Sequence, residues 1–429
     1  MSTQASRVCY QMVVFGLACP GPALLAQEAM LAPERFALLA WNRSSGDRAT
    51  FEQMRECGFN LAGFVPPDQL DEVAAAGLKA IVHDSRVPVV LDATLTEAEV
   101  KKRAGELADK VAAHPAVFGF YLADEPNARS FPALARWAAA FKAISPDKIS
   151  YVNLFPTYAN ADQLGVGSYV RYLETFINMV KLPYISYDHY ALMEDGSLRD
   201  GYFQNLEIVR EAALRHKIPF WNVVMSTGCL DFAEPSDAGL RFQAYTTLAY
   251  GGRGISWFTY FSAPVGNFRL APIDHFGQKT ATWSMLRRVN MEVHRLGPTY
   301  IALKNVNVFH HPDVPKECRG IDTAVHLGGL SGGSFVVGEF VGPEDRPYAL
   351  VVNKGLKRSV CFSLKFKAGG AITQINAQTG QPQPFAGEQG WLAPGQGMLL
   401  TVRSAATSKP AVTGADARAD GATGPRTVK

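Results

Sequence analysis

The chain has 429 residues, of which 47% are hydrophobic and 19% are charged, a composition typical of folded globular proteins and not of disordered ones. This length exceeds what one ordinary hydrophobic core supports, so it predicts two domains. The 42 basic residues nearly balance the 39 acidic ones, for a formal charge of +3. Since no run or stripe of Lys and Arg occurs, we expect no nucleic-acid partner.

The first residues have the features of an export signal. Arg7 precedes an apolar run over 12–18, and small residues follow before Gln27. The run is too short to cross a membrane as a mature helix, and no later segment predicts a transmembrane span. We therefore expect a signal peptide over 1–26 and a secreted or periplasmic protein. The segment Gly16-Leu17-Ala18-Cys19 also weakly resembles a lipoprotein signal, so a lipid anchor is an open alternative.

The six cysteines are scattered along the chain. None has the Cys-x-x-Cys or Cys/His spacing of a zinc site. A disulfide between Cys318 and Cys361 is one alternative, but we expect free, buried thiols.

From about residue 36 to residue 261, short apolar runs alternate with amphipathic stretches. The predicted strands are 36–41, 60–65, 79–83, 117–123, 149–154, 184–189, 218–225 and 254–261. Helical patterns between them include 51–57, 68–76, 97–114, 131–144 and 240–250. Eight strands that alternate with helices predict an α/β fold, a closed (β/α)8 TIM barrel over 27–298. The alternative, an open doubly wound sheet, usually has a G-x-G-x-x-G turn after its first strand. Here that place holds Trp41-Asn42-Arg43-Ser44-Ser45-Gly46, and we expect no cofactor.

After Leu296-Gly297-Pro298 the pattern changes from helical to alternating. Apolar and polar residues alternate over 360–366, which is typical of a half-buried strand. Further strands are predicted at 335–337, 348–352, 372–375 and 398–402. We therefore expect a small antiparallel β-sandwich over 299–403 as an accessory domain. The Ala/Thr/Gly/Pro-rich segment 404–429 predicts a disordered tail.

Two adjacent carboxylates follow the fourth predicted strand, where the apolar run 117–123 continues into Asp124-Glu125-Pro126. In a barrel of this kind the active site lies where the strands end. Carboxylates at an apolar barrel mouth are costly unless they are paired or used. Pro126 also disfavours helical geometry at Glu125. We predict that Glu125 is an acid/base residue supported by Asp124, although a helix cap or an ion pair with Arg129 would also explain them.

The motif Tyr121-Leu122-Ala123-Asp124-Glu125-Pro126 resembles the strand-four signature of clan A glycoside hydrolases, where an Asn-Glu or Asp-Glu pair supplies the acid/base residue. The segments 240–252 and 254–261 resemble the last helix and strand of beta-galactosidase-like members. The segments 350–353 and 392–397 resemble their C-terminal accessory domain. The resemblance covers roughly 36–403 and implies a glycosidase with a carbohydrate substrate.

One departure from that family concerns the second carboxylate. The clan places a nucleophilic Glu at the end of strand seven, where this chain has Met225-Ser226-Thr227. Glycoside hydrolysis normally needs two carboxylates. The candidates are Asp188, which ends the sixth apolar run, and Glu234, in the loop after strand seven. We prefer Asp188 as the nucleophile or the base toward water.

Other residues at strand ends are predicted to contact sugar, because polar groups bind hydroxyls and flat rings cover the apolar face of a sugar. This set comprises Trp41, Asn42, His83, Asp84, Asn153, His189, Tyr190, Trp257 and Tyr260.

The sequence thus predicts acid/base hydrolysis of a glycosidic bond by Glu125 and Asp188. One alternative is a glycan-binding barrel that lacks the nucleophile. Another is a metal-dependent barrel lyase or isomerase, because His83, Asp84, Asp188 and His189 are possible metal ligands. Their spacing does not favour a metal site, and we expect none.

Overall fold

The computed structural model describes residues 30–88, 94–385 and 390–402. The expected signal peptide and the expected disordered tail both lie outside these residues. Within them, every helix is too short or too polar to span a lipid bilayer.

Eight parallel strands form the predicted (β/α)8 barrel. They are β1 (Ala37–Ala40), β2 (Leu61–Val65), β3 (Lys79–Val82), β4 (Val117–Asp124), β5 (Ile149–Asn153), β6 (Ile185–Asp188), β7 (Phe220–Met225) and β8 (Gly254–Phe258). Neighbouring strands pair in chain order, and β8 pairs with β1. The circle closes between β5 and β6 through a parallel bridge from Leu154 to Tyr187. Almost every strand residue is buried, which explains why the strands are continuous apolar runs.

Nine helices accompany these strands in the described residues: α1 (Arg48–Glu56), α2 (Leu70–Ala75), α3 (Glu97–Val111), α4 (Phe131–Ile144), α5 (Ala161–Leu164), α6 (Tyr169–Val180), α7 (Tyr202–His216), α8 (Asp237–Ala249) and α9 (Ala281–Tyr300). Several begin at a capping side chain. The hydroxyl of Thr96 accepts a hydrogen bond from the backbone N–H of Glu99 at 3.2 Å, which satisfies an amide that has no partner within α3.

Aromatic side chains fill the barrel interior below the mouth. Trp41, Phe64, Tyr151 and Trp221 belong to one buried cluster there. The indole N–H of Trp41 donates to the Tyr151 hydroxyl at 3.0 Å. The barrel is therefore a packed core with a closed floor, and ligands can enter only at its ends.

Gly297 and Pro298, where the domain boundary was predicted, both lie inside α9, which continues to Tyr300. A Cβ at position 297 would come within 2.2 Å of a methyl group of Leu31. Glycine at this position therefore permits close packing of α9 against the segment before β1, and it does not mark a turn.

The C-terminal region is antiparallel, as predicted. Its strands are β9 (Lys304–His311), β10 (Leu327–Ser331), β11 (Phe335–Val341), β12 (Pro347–Asn353), β13 (Val360–Cys361), β14 (Ser363–Phe366), β15 (Ile372–Ile375), β16 (Pro382–Pro384), β17 (Trp391–Leu392) and β18 (Gly397–Val402). Six of them form one sheet in the order β16-β15-β18-β12-β11-β9, and β10-β14 and β13-β17 form two small ones. The six-stranded sheet packs on α8.

Cys57, Cys229 and Cys318 are free thiols. Cys57 and Cys229 are buried, whereas Cys318 and Cys361 are half-buried. No disulfide joins the two cysteines of the sandwich.

Candidate active site

The carboxylates of β4 lie at the mouth of the barrel. Asp124 is the last residue of the strand, and Glu125 follows it with a left-handed backbone (φ 44°). The N–H of Glu125 still donates to the carbonyl oxygen of Asn153 at 2.8 Å. The ladder between β4 and β5 therefore fixes Glu125, although its backbone has left the strand conformation.

One amide connects two of the carboxyl groups. The side-chain nitrogen of Asn153 donates to Asp124 at 3.1 Å and to Asp188 at 3.0 Å. Its oxygen accepts from the hydroxyl of Ser186 at 3.2 Å. Because β4, β5 and β6 are neighbours, the ends of three strands bring these side chains together. Asn153 is only 2% exposed, so its orientation is fixed.

The carboxyl groups of Glu125 and Asp188 interact, because the charge of Glu125 helps to raise the pKa of Asp188. Two neighbouring carboxyl groups disfavour the state in which both are ionised. Glu125 and Asp188 therefore form an interacting pair at the barrel mouth.

Burial raises the pKa of all three carboxyl groups. Asp124 is exposed through the open mouth but surrounded by protein at its sides, and the loss of hydration raises its pKa to about 6. Burial, and then the charge of Asp124, raise the pKa of Glu125 to about 7. Asp188 is 2% exposed, and burial followed by repulsion from Glu125 holds its pKa well above the usual range. Glu125 is therefore poised to exchange a proton near neutral pH.

Two tyrosines complete the polar part of the mouth. Burial and then the charge of Asp188 raise the pKa of Tyr158 and of Tyr190, so both are neutral hydroxyl donors. Tyr190 lies within the field of Asp124 and Glu125 as well. The guanidinium of Arg199 lies 3.9 Å from the ring centroid of Tyr158. Tyr158 and Arg199 were missed from the sequence because they come from loops after the predicted strands.

The loop after β7 directs no carboxylate at this cluster. The hydroxyl of Ser226 donates to the carbonyl of Thr259 at 3.2 Å, and that of Thr227 to the carbonyl of Arg269 at 3.0 Å. Glu234 forms an ion pair with Arg269 at 3.2 Å, with half of its side chain exposed. Glu234 is thus engaged with Arg269, and the ion pair holds two loops together.

The predicted sugar contacts on β1 and β3 are largely occupied by the protein itself. Trp41 is 7% exposed, so it forms the floor of the mouth. Asn42 accepts a hydrogen bond from the N–H of Arg43 at 2.7 Å. Asp84 binds Arg86 at 2.8 Å. His83, the fourth of these residues, is half-buried and lies edge-on to the ring of Tyr121. Burial and then the charge of Arg43 lower its pKa.

Three other predicted contacts do not face the mouth. The indole N–H of Trp257 donates to Asn290 on α9 at 2.9 Å. Tyr260 accepts from Trp283 on the same helix at 3.1 Å. His189 is bonded to Asn205 on α7 at 3.0 Å, and burial lowers its pKa to about 4. These side chains fix the helices to the barrel.

Strand alternation explains these placements, because successive side chains point to opposite faces. When Trp257 points outward, Phe258 points toward the mouth, where its ring stacks on Tyr190 at 5.5 Å between centroids. The side chains of His189 and Tyr190 likewise point to opposite faces. Phe258 is therefore a mouth residue that the sequence interpretation missed, and the period of two was the signal for it.

In the part of the chain that the structure describes, no group of three His, Cys, Asp or Glu side chains has an arrangement that would hold a metal ion. Two of the four possible ligands are engaged elsewhere, Asp84 with Arg86 and His189 with Asn205.

The fold is shared with solved glycoside hydrolases. A family 5 glycoside hydrolase from Bacteroides vulgatus is 13% identical over 88% of this chain and 90% of its own, with a TM-score of 0.56. A catalytic mutant of a family 42 beta-galactosidase from G. stearothermophilus is 9% identical over 86% and 98%, with a TM-score of 0.54. The chain covers 60% of a beta-galactosidase from Marinomonas ef1, at a TM-score of 0.47.

No protein-family model matches the sequence, and no curated protein matches it. The fold implied by the resemblance to clan A glycoside hydrolases is confirmed by the solved structures.

Proposed function

We propose that this protein is a glycoside hydrolase in which Glu125 donates a proton to the departing oxygen of the glycosidic bond. The observation that carries the proposal is the cluster of Asp124, Glu125 and Asp188 at the barrel mouth, where one side-chain nitrogen of Asn153 contacts both Asp124 and Asp188. A carboxyl group with a pKa near 7 is both a sufficient acid and a sufficient base at neutral pH. The fold shared with glycosidases supports the same reaction class.

The neighbouring residues have distinct roles in this proposal. Asn153 fixes Asp188 and Asp124 in position. Tyr190 and Phe258 supply a flat apolar surface for a sugar ring. The mouth thus offers both polar and aromatic groups, as a sugar with polar edges and apolar faces requires.

A glycan-binding barrel without catalysis is the second candidate. The observation that favours it is the end of β7, which carries Ser226 and Thr227 in place of a carboxylate. Their hydroxyls donate hydrogen bonds to backbone carbonyls. A protein of this kind would bind oligosaccharides and release them unchanged.

The experiment that separates the candidates is hydrolysis of a panel of aryl glycosides by the wild type and two variants. Glu125→Gln preserves the shape of the side chain and removes its acidic proton, so the rate should fall on the order of 10²–10⁴-fold. The loss should be smaller for substrates with activated leaving groups, since they need less protonation.

Glu234→Gln is the matched control, because it makes the same chemical change in a carboxylate that is paired with Arg269. It should retain activity close to that of the wild type. If the two variants lost activity equally, the assignment of Glu125 would be overturned. If the wild type bound glycans and cleaved none, the binding function would replace the enzymatic one.

A further inference from the structure

A cleft of about 800 Å³ lies between the barrel and the sandwich. The loop after β6 and the first turn of α7 form its barrel side, over 198–204. Loops of the sandwich form the other side, with Asp313, Lys316, Ser334 and Lys354. Because β6 ends at Asp188, the loop after it belongs to the end of the barrel that carries the carboxyl cluster. A cleft of this size between two domains is a common place for a ligand.

Arg199 is the cation through which the cleft adjoins the mouth. Its guanidinium carbon lies 3.9 Å from the ring centroid of Tyr158 and 5.3 Å from that of Phe232. The ring of Tyr158 in turn meets that of His189 edge-on at 4.9 Å, and His189 begins the loop after β6. The backbone N–H of Arg199 donates to the carbonyl of Ala191 at 2.8 Å. Two rings and a backbone hydrogen bond thus hold the guanidinium beside the mouth.

These contacts leave the N–H donors of Arg199 to a ligand. In the part of the chain that the structure describes, the guanidinium contacts aromatic rings and donates to no protein acceptor. Two other arginines after strand ends, by contrast, are paired with carboxylates, Arg86 with Asp84 and Arg269 with Glu234. A guanidinium is a planar fork of donors that binds a carboxylate through two parallel hydrogen bonds. Arg199 is therefore suited to a carboxylate on the ligand.

The sandwich supplies a second cation to the cleft. The ammonium of Lys354 donates to the backbone carbonyl of Asp313 at 2.6 Å, and an ammonium has three donors. The carboxylate of Asp313 accepts from a serine hydroxyl at 2.9 Å, and Asp200 is the other lining carboxylate. Lys316 is a third lining cation, although its exposed ammonium contacts Glu317 at 3.6 Å. The cleft thus has charged donors from both domains.

We infer that this cleft binds the carboxylate of an acidic glycan through Arg199 and Lys354, and that the substrate is a uronate-containing oligosaccharide or polysaccharide. The inference rests on the proposed glycosidase function and specifies its substrate class. The sugar whose carboxylate Arg199 holds lies beside the loop that follows Asp188, so the glycan extends from the cleft into the mouth. The sandwich thereby takes part in binding the substrate.

The test measures binding by isothermal titration calorimetry. The ligands are tetrasaccharides of galacturonate, of mannuronate and of glucuronate, each with its carboxyl-reduced counterpart, so that each pair differs only in the carboxylates. We expect at least one acidic member to bind on the order of 10–10²-fold more tightly than its counterpart. The difference should shrink as the salt concentration rises, because ions screen the charges. Equal binding within every pair, or preference for a sulfated neutral tetrasaccharide over all uronates, would overturn the inference.

The residues are tested with Arg199→Gln and Lys354→Gln. Each should lower the affinity for the acidic tetrasaccharide about 10-fold or more and leave that for its reduced counterpart unchanged. Arg199→Lys should restore only part of the affinity, because lysine lacks the planar fork. Arg215→Gln is the matched control, since it makes the same change at the other end of α7 in a guanidinium paired with Glu174. Equal weakening of both members of a pair by Arg199→Gln would show a structural role and contradict the assignment.

The inference and the proposed function fail separately. Hydrolysis of a glycoside without any preference for uronates would overturn the inference and leave the glycosidase function standing. Preference for a uronate without cleavage of any glycoside, acidic or neutral, would overturn the glycosidase function and leave the binding of acidic glycans. Circular dichroism checks that each variant is folded.

Discussion

Glu125 has a left-handed backbone, a conformation that costs a non-glycine residue roughly 1–2 kcal/mol. The cost is tolerated because its N–H is bonded to Asn153 in the next strand and Pro126 follows. Strain of this kind concentrates at functional positions, where the surroundings determine the geometry. Here it occurs at the residue that we propose as the acid.

The first prediction concerns the pH dependence of the reaction. Glu125 must carry a proton to act as an acid, and its pKa is raised to about 7 by burial and by the charge of Asp124. We therefore expect kcat/KM to fall as the pH rises through about 7. Asp124→Asn removes the repulsion, so the pKa of Glu125 should fall and the descending limb should move to lower pH.

The measurement is a profile of kcat/KM against pH for the wild type and for the residual activity of the variant. Glu234→Gln, whose carboxylate is paired with Arg269, should reproduce the wild-type limb. A limb that stays at the same pH in Asp124→Asn would show that Asp124 does not act on Glu125.

At the scale of single residues, the sequence located the carboxylates at the strand ends, but it did not show toward which face each aromatic side chain points. Glu125 and Asp188 were found because a charge directly follows an apolar run. Trp257 and His189 were assigned to the mouth from their type alone, whereas strand alternation turns both toward helices. The meeting of Asp124 and Asp188 at Asn153 depends on how β4, β5 and β6 are arranged in space, which no local pattern encodes.

At the scale of elements, a buried carboxylate holds part of the sandwich together. Glu339 on β11 is fully buried. Its two oxygens accept from the N–H groups of Val325, His326 and Leu327 at 2.6–2.9 Å, and from the side-chain amide of Asn307 at 3.0 Å. Four donors thus compensate the burial of one charge, and they attach the start of β10 to β11.

The second prediction follows from this arrangement. Glu339→Gln replaces an acceptor oxygen by an NH2 group that faces backbone donors, and it removes the charge that strengthens the bonds. The free energy of unfolding should fall by about 2–4 kcal/mol. Chemical denaturation measures the change, and Glu344→Gln, whose side chain is 80% exposed, is the control. Equal stability of the two variants would show that the buried network contributes little.

At the scale of the whole molecule, the sandwich is joined to the barrel by close backbone packing. A Cβ at Gly338 on β11 would lie 2.0 Å from the carbonyl oxygen of Ala249, at the end of α8. A Cβ at Gly397 on β18 would lie 2.4 Å from the ring of Tyr245 on the same helix. Glycine at both positions lets the sheet approach α8 more closely than any side chain would allow.

The third prediction tests this contact between the domains. Gly338→Ala should force the sheet away from the helix and destabilise the protein by about 1–3 kcal/mol. Gly329→Ala on β10 is the matched control, because nothing lies within 4 Å of a Cβ there. Thermal unfolding should therefore show a lower melting temperature for the first variant and little change for the second. A lower melting temperature for Gly329→Ala than for Gly338→Ala would show that stability does not depend on the close packing at Gly338.

The alternation of apolar runs and helices was sufficient to predict the barrel, since each buried parallel strand forms one continuous run. The start of the sandwich was predicted from Gly297-Pro298, which has the composition of a turn but lies within α9. Position 297 requires glycine because a Cβ there would collide with Leu31, which is far away in sequence. Packing of this kind between distant segments leaves no local signal.

The closure of the barrel between β5 and β6 has a consequence for motion. This pair is joined through a bridge at Leu154, whose N–H donates to Ser186 at 2.9 Å, and through a longer bond of 3.4 Å from the N–H of Asp188. The side chains of Asn153 and Asp188 meet across the same junction. Transient separation of these strands would thus also separate Asn153 from Asp188. We therefore expect hydrogen exchange to be faster at the amide of Asp188 than at the amides between β7 and β8. Each local opening of the barrel would briefly remove the fixed geometry of the carboxyl groups at its mouth.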